Sequence, residues 1–151
     1  MTFKDNLKKI VKSIYREITL KNKTQIEFRA KLLTMMIISN KDFSSCEKDI
    51  LKNITSKTYK NDKRSKMLQD MVEEYIELRL KNDINLDTLI FEIDRMIAFN
   101  PKLIFKIDIE NLKLFLKCSC KENDAQTKNQ ILDYLKSQMR EYTVKLIQTS
   151  N

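Results

Sequence analysis

Residues 25–39 have the sequence QIEFRAKLLTMMIIS, and more of the architecture follows from them than from any other stretch. Near the end of this stretch the apolar side chains cover more than half of the circumference of a helix. A helix of that kind needs neighbours on several sides. The stretch therefore predicts a central helix with other helices packed around it.

Six other stretches have apolar residues at spacings of three and four along one side, the pattern of amphipathic helices. They cover residues 3–20, 44–55, 62–82, 85–99, 109–120 and 125–147, and they are joined by short polar connections. No stretch has the sustained alternation of a strand. The sequence predicts an all-α, single-domain bundle of six to seven helices over residues 1–151, with a basic amphipathic helix in residues 1–22 and the core bundle in residues 23–147.

Several helix ends are marked by residues that favour caps or breaks. Asn22–Thr24 is expected to separate the first two helices, and Pro101 to end the helix before it at Phe99. Ser44 followed by Glu47 forms a capping box pattern, and Phe43 suits the hydrophobic staple. The later helices can be capped by Asp62 or Ser65, by Asp83 or Asn85, and by Asp108. Because the chain has no glycine, asparagines near the predicted ends are expected to close the helices; these are Asn22, Asn40, Asn53, Asn82 and Asn100.

The composition excludes several kinds of chemistry. The chain has no glycine, although about 7% is usual, so it has no P-loop and no dinucleotide-binding fingerprint. It has no histidine, which removes imidazole general bases, Ser-His-Asp and Cys-His arrangements and the commonest zinc ligand. We predict neither an enzymatic activity nor a cofactor.

The three cysteines, Cys46, Cys118 and Cys120, are an odd number and define no disulfide framework. Cys118 and Cys120 are closer in sequence than the usual zinc pair. Free thiols in a reducing compartment are expected, with a disulfide or redox pair as the alternative. The chain begins with a charged amphipathic pattern, and its longest apolar runs, such as residues 35–38, are too short to span a bilayer. The expected location is the cytoplasm.

Two stretches of the chain resemble each other, residues 32–54 and residues 114–135. Each has an apolar helix end, a polar loop with acidic residues, and a new helix with an Ile-Leu pair. The pairs, Ile50-Leu51 and Ile131-Leu132, are 81 residues apart. One explanation is an internal repeat of a helix–loop–helix unit, and the other is that two helical hairpins of similar composition align this well without common origin.

Residues 40–47, NKDFSSCE, resemble the Asp-Gly-x-hydrophobic-Ser-x-x-Glu signature of tellurite-resistance TerB-like domains. The matching positions are Phe43, Ser44 and Glu47. The signature's aspartate and glycine are replaced by Asn40 and Lys41. The resemblance implies an all-helical domain with this motif once in each half, and a role in stress response or within membrane-linked complexes.

In the second half, the region that corresponds to the signature is residues 122–126, of which residues 122–124 are the predicted loop. Asn129 stands where the signature would have its glutamate. The resemblance also implies clustered acidic residues with an associated metal. Asp42, Glu47 and Asp124 are the loop carboxylates expected to converge, and hard cations need six or more oxygen ligands. A metal site here would require both loops.

Positive charge is concentrated in the first part of the chain. Residues 1–70 carry 17 Lys and Arg against 8 Asp and Glu, whereas residues 71–151 carry 12 against 13. Several cations and one aromatic ring lie around the loop before the fourth predicted helix. Together they combine phosphate neutralisation with base stacking, as in nucleic-acid binding. These candidates are Lys57, Tyr59, Lys60, Lys63, Arg64 and Lys66.

The first helix is also basic, with Lys4, Lys8, Lys12 and Arg16 along one line. Such a helix can contact a membrane surface, but in a small domain we expect its apolar stripe to be buried in the bundle.

Three functions follow from these patterns. The first is a non-enzymatic protein-interaction module, TerB-like and stress-related. The second is a sequence-independent nucleic-acid-binding protein. The third is a virus-encoded Bcl-2-like bundle that binds a partner helix, although the Asn-Trp-Gly-Arg signature of that class cannot occur in a chain without glycine or tryptophan.

Overall fold

The residues that the structure describes form six α-helices and two short 3₁₀ helices and contain no strand. The computed structural model describes residues 2–39, 43–119 and 121–149, and within residues 12–21 it describes the helix but not the side chains. The α-helices are α1 (Phe3–Ile37), α2 (Ser45–Thr58), α3 (Asp62–Leu80), α4 (Leu86–Phe99), α5 (Ile109–Lys113) and α6 (Glu122–Thr149). The 3₁₀ helices are Pro101–Lys106 and Leu114–Cys118. The predicted all-α bundle is confirmed.

The centre of the bundle is the second half of α1, as the composition of residues 25–39 predicts. Every residue from 30 to 38 is buried, and Phe28 has no exposed surface. This part of α1 packs against α3, α4, α6 and the first 3₁₀ helix. We call residues 26–38 the inner segment of α1.

The predicted break at residues 22–24 is wrong, because α1 continues through it. Asn, Lys and Thr lower helix propensity by only a fraction of a kcal/mol each. A break would also leave backbone groups without their helical partners. Without proline or glycine, this stretch is too weak a signal to end a helix.

The asparagine prediction is confirmed at one position, Asn82, which follows α3 in the left-handed region at φ 63°. The amide of Asp83 donates to the carbonyl of Leu78 at 2.9 Å, and that of Asn82 to Arg79 at 3.0 Å. Asn22 and Asn53 lie inside helices, Asn100 is the extended residue before Pro101, and Asn40 lies outside the described residues.

The predicted helix starts at Ser44, Asn85 and Asp108 are confirmed, since each side chain accepts a backbone amide of the helix that follows. The start of α3 differs, because Asn61 caps it rather than Asp62 or Ser65. Residues 122–124, predicted as a loop, form the first turn of α6. Among the described helices, none combines the length and apolar character needed to cross a membrane.

Candidate functional site

The start of α2 and the end of the second 3₁₀ helix, which are next to the two predicted loops in the sequence, lie side by side. Cys46, in the first turn of α2, is disulfide-bonded to Cys118, the last residue of the second 3₁₀ helix, and their Cα atoms are 5.7 Å apart. The expectation of free thiols is therefore wrong for these two residues, whereas Cys120 lies outside the described residues. Sequence spacing could not reveal the bond, because a sequence separation of 72 does not indicate which helix ends meet. Because disulfides are typical of oxidising compartments, the free-thiol argument for the cytoplasm is lost.

Glu47 is fully buried in the first turn of α2. Its backbone amide donates to the Oγ atom of Ser44 at 3.3 Å, and the same hydroxyl donates to the Oε1 atom of Glu47 at 3.0 Å. The side-chain cap predicted from the Ser-x-x-Glu pattern is thus present. Phe43 is half-buried and packs against the core, and the Nζ atom of Lys48, the fourth residue of α2, lies 5.4 Å from the centroid of its ring. A cation–π contact therefore takes the place of the predicted hydrophobic staple.

Lys128, on α6, is also fully buried. Its Nζ atom donates to the carbonyl oxygen of Phe115 at 3.2 Å and to the Oγ atom of Ser119 at 3.0 Å. Burying a charge is costly unless it is hydrogen-bonded, and these two acceptors offset part of that cost. The sequence gives no sign that this lysine is buried, because it is one of 29 lysine and arginine residues in the chain.

Lys128 is the counterpart of Glu47 in the second half of the chain. The offset of 81 residues between the two Ile-Leu pairs places Glu47 opposite Lys128, so the assignment of Asn129 to that position is one residue too far. Asn129 is exposed, whereas both Glu47 and Lys128 are buried. The same burial at equivalent positions supports the internal repeat, with opposite charges in its two copies.

The structure describes two of the three predicted metal-site residues. Asp42 lies outside the described residues, Glu47 is buried, and Asp124 is half-buried in the first turn of α6. Within residues 2–39, 43–119 and 121–149, no three cysteine, aspartate or glutamate side chains are grouped so that they could hold a metal ion. A site at this corner stays a prediction that depends on Asp42.

The predicted nucleic-acid-binding cations lie together where α2 ends and α3 begins. We call this group the basic junction; it consists of Lys57, Lys60, Lys63, Arg64 and Lys66, all of them exposed. None of the five has an ion-pair partner in the described part of the chain. Lys63 and Arg64 are in the first turn of α3, where the positive end of the helix dipole adds to their field.

Tyr59, the predicted stacking ring beside this junction, is half-buried and already has a cationic neighbour. The Nη1 atom of Arg29 donates to its hydroxyl at 2.6 Å, and the guanidinium carbon lies 5.0 Å from the ring centroid. A nucleobase could therefore stack only on the ring face that Arg29 leaves open.

The N-terminal part of α1 has an exposed apolar stripe, although the sequence predicts that this stripe is buried in the bundle. Phe3, Leu7, Ile10 and Val11 are 51–83% exposed, so the expectation that their stripe is buried is wrong. We call residues 3–11 the outer segment of α1. The reason is length: 35 residues of helix extend about 52 Å, whereas the 14 residues of α4 extend about 21 Å.

Comparison of the chain with family models, curated proteins and solved structures gives no match. A function can therefore be inferred only from the corner around the Cys46–Cys118 disulfide, the basic junction and the outer segment of α1.

Proposed function

We propose that the protein is a non-enzymatic protein-interaction module that presents the outer segment of α1 to its partner. The observation that carries this proposal is the exposure of Phe3, Leu7, Ile10 and Val11. Their spacing of i, i+4, i+7 and i+8 is that of the anchor residues by which an amphipathic helix binds an apolar groove. Four neighbouring apolar side chains on one exposed helix face also form the kind of patch that marks an interaction surface.

The charges of the outer segment specify the kind of groove. Lys4, Lys8 and Lys9 are exposed beside the apolar stripe, and Asp5 is the single acidic residue among residues 3–11. A groove with an acidic rim complements this pattern. Antiparallel pairing with a second copy would bring lysines together, which opposes self-association. The partner is therefore another protein with an acidic-rimmed apolar groove.

The TerB-like arrangement is part of the same proposal. It is supported by the adjacent positions of the start of α2 and the end of the second 3₁₀ helix and by the burial of Glu47 and Lys128 at equivalent positions. Because both charges are buried, they serve the architecture, and the partner-binding surface is placed on α1 instead of on the loops. A stress-related role follows from the resemblance alone. The Bcl-2-like alternative would receive a partner's helix in a groove of its own.

The test compares wild type, Leu7→Glu and Asn6→Glu by cross-linking in the source cells followed by mass spectrometry. Both variants add one negative charge at adjacent positions, but only the first alters the apolar stripe. We expect a set of proteins captured by wild type and Asn6→Glu and reduced about ten-fold or more in Leu7→Glu, and the purified partner should reproduce this difference in a direct titration. Equal capture by both variants would refute the proposal.

Two further results would reassign the surface. A dimer in sedimentation velocity that Leu7→Glu abolishes would make a second copy the occupant. Binding to anionic vesicles without any protein partner would make it a membrane surface. Either result contradicts the proposal of a protein groove.

A second candidate function, sequence-independent nucleic-acid binding, is favoured by the five exposed, unpaired cations of the basic junction. We expect micromolar binding of a single-stranded oligonucleotide, measured by fluorescence anisotropy and weakened steeply by salt. Lys60→Glu with Lys63→Glu should remove it, and Lys117→Glu with Lys121→Glu, at exposed lysines elsewhere, should preserve it. Absence of binding at ~50 mM salt would eliminate this candidate.

A further inference from the structure

A cavity of about 460 Å³ opens between α1, α2, the first 3₁₀ helix and α5. This volume is within the range of roughly 300–1,000 Å³ typical of small-molecule sites. The cavity lies beside the basic junction, since Lys57 belongs to both. It is separate from the outer segment of α1, so it is independent of the function proposed above.

The inner wall of the cavity is apolar. It is formed by core side chains that are almost completely buried, contributed by α1, α2, α3 and α5; these are Leu32, Leu33, Ile54, Leu68 and Leu112. Phe105, also lining the cavity, is 68% exposed. An apolar group bound against this wall would remove both its own surface and part of the Phe105 ring from water, which is favourable.

Three cations from three different elements line the same cavity: Arg29 of α1, Lys57 of α2 and Lys106 of the first 3₁₀ helix. None of them has an ion-pair partner among the described residues. Arg29 is held in place by its hydrogen bond to the hydroxyl of Tyr59 and by its position over that ring. A guanidinium held in this way has lost part of its freedom before any ligand binds, which lowers the entropic cost of binding.

One carboxylate, that of Asp108, also lines the cavity. Its Oδ1 atom accepts the backbone amide of Asn111 at 3.1 Å, and its Oδ2 atom accepts the Nδ2 amide of the same residue at 3.0 Å. This carboxylate is therefore engaged as the cap of α5. The lining keeps an excess of two positive charges, from three cations and one anion.

We propose that this cavity binds a small organic anion with an apolar body, of the chemical class of an alkyl phosphate. The apolar body lies against the leucine-rich wall, and the phosphate lies among Arg29, Lys57 and Lys106. A phosphate suits the three cations of this lining because it carries up to two negative charges and three oxygen acceptors, and a guanidinium can bind it in bidentate fashion.

The test uses isothermal titration calorimetry on the full chain with octyl phosphate, octan-1-ol and inorganic phosphate. Octyl phosphate should bind at least about ten-fold more tightly than either of the others, because only it uses both the wall and the cations. Equal binding of octan-1-ol would remove the role of the cations. Equal binding of inorganic phosphate would remove the role of the wall. Either result overturns the proposal.

Variants place the binding in this cavity. Arg29→Met and Lys106→Met should each weaken octyl phosphate binding about ten-fold, and Lys117→Met, at an exposed lysine elsewhere, should leave it unchanged. If Arg29→Met unfolds the chain, Lys106→Met still decides. Octyl phosphate binding that neither variant weakens, or binding only to vesicles containing phosphatidic acid, would overturn the proposal. Leu7→Glu should bind octyl phosphate normally, which separates this result from the test of the outer segment.

Discussion

The two ends of α1 have similar apolar side chains and opposite surroundings. Phe28, in the inner segment, has no exposed surface, whereas Phe3, in the outer segment, is 83% exposed. The inner segment is apolar around most of the helix, so it requires neighbours on several sides and has them in α3 and α4. The outer segment has one narrow stripe with lysines beside it. The difference shows that the width of the apolar surface, more than its presence, distinguishes a core helix from a helix available to a partner.

The largest expected effect separates these two phenylalanines directly. Phe28→Ala should lower the free energy of unfolding by about 3–5 kcal/mol, because it removes a fully buried ring and leaves a cavity. Phe3→Ala should change it by less than about 0.5 kcal/mol, because the ring is already in water. Urea denaturation followed by circular dichroism measures both. A comparable loss in the two variants would mean that the outer segment packs within the monomer.

The next largest effect concerns the disulfide, which belongs to the bundle around the inner segment. Cys46→Ser should lower the free energy of unfolding by about 2–4 kcal/mol, because the bond closes a long loop in the unfolded chain. Reduction of the wild-type protein should have the same effect. Hydrogen exchange should become faster at the amides of the inner segment and stay unchanged in residues 3–11. Equal melting temperatures of the oxidised and reduced protein would contradict this.

Features set by neighbouring residues could be predicted from the sequence. The caps at Ser44, Asn85 and Asp108 follow from short side chains that accept amides two or three residues ahead, and the end of α4 follows from Pro101. The helix class follows from the spacing of apolar residues. Both kinds of signal are local, so a single sequence contains them in full.

Features that depend on which elements meet could not be predicted. The Cys46–Cys118 bond and the burial of Lys128 depend on how the second 3₁₀ helix packs against α2 and against α6. The continuity of α1 through residues 22–24 depended on small propensity differences that packing overrides. The cavity beside Arg29 likewise has lining residues from five separate elements.

A smaller effect compares two lysines on the same helix. Lys31, in the inner segment, is nearly buried, and its Nζ atom lies 3.2 Å from Glu27 and 3.0 Å from Glu92 of α4. Lys31→Met should cost about 1 kcal/mol, because the aliphatic stem is kept and the two carboxylates are about one third exposed, so water screens the lost attraction. Lys8→Met, in the outer segment, should cost less than about 0.5 kcal/mol.

Thermal or urea denaturation at low and high salt checks the Lys31 prediction. The difference between Lys31→Met and wild type should shrink as salt increases, since screening weakens the ion pairs in the wild-type protein. A loss that is independent of salt, or equal for Lys8→Met, would show that the ion pairs do not link α1 to α4 as the distances indicate.

The effect that is smallest at neutral pH is a pH dependence of stability in the neighbourhood of the inner segment. Burial, followed by the charges of Glu27 and Glu92, raises the pKa of Tyr75 from 10.0 to about 12. Below pH 10 the phenol is protonated in both the folded and the unfolded chain, so its contribution to stability is fully present. Between pH 10 and 12 the unfolded chain loses this proton first, and the free energy of unfolding must decrease. The outer segment has no tyrosine in residues 3–11 and adds no such term.

Tyr75→Phe should therefore reduce the loss of stability between pH 10 and 12 relative to wild type, while the difference between the two proteins stays constant from pH 7 to 9. Parallel stability curves up to pH 12, measured by urea denaturation, would show that Tyr75 does not titrate differently in the folded chain.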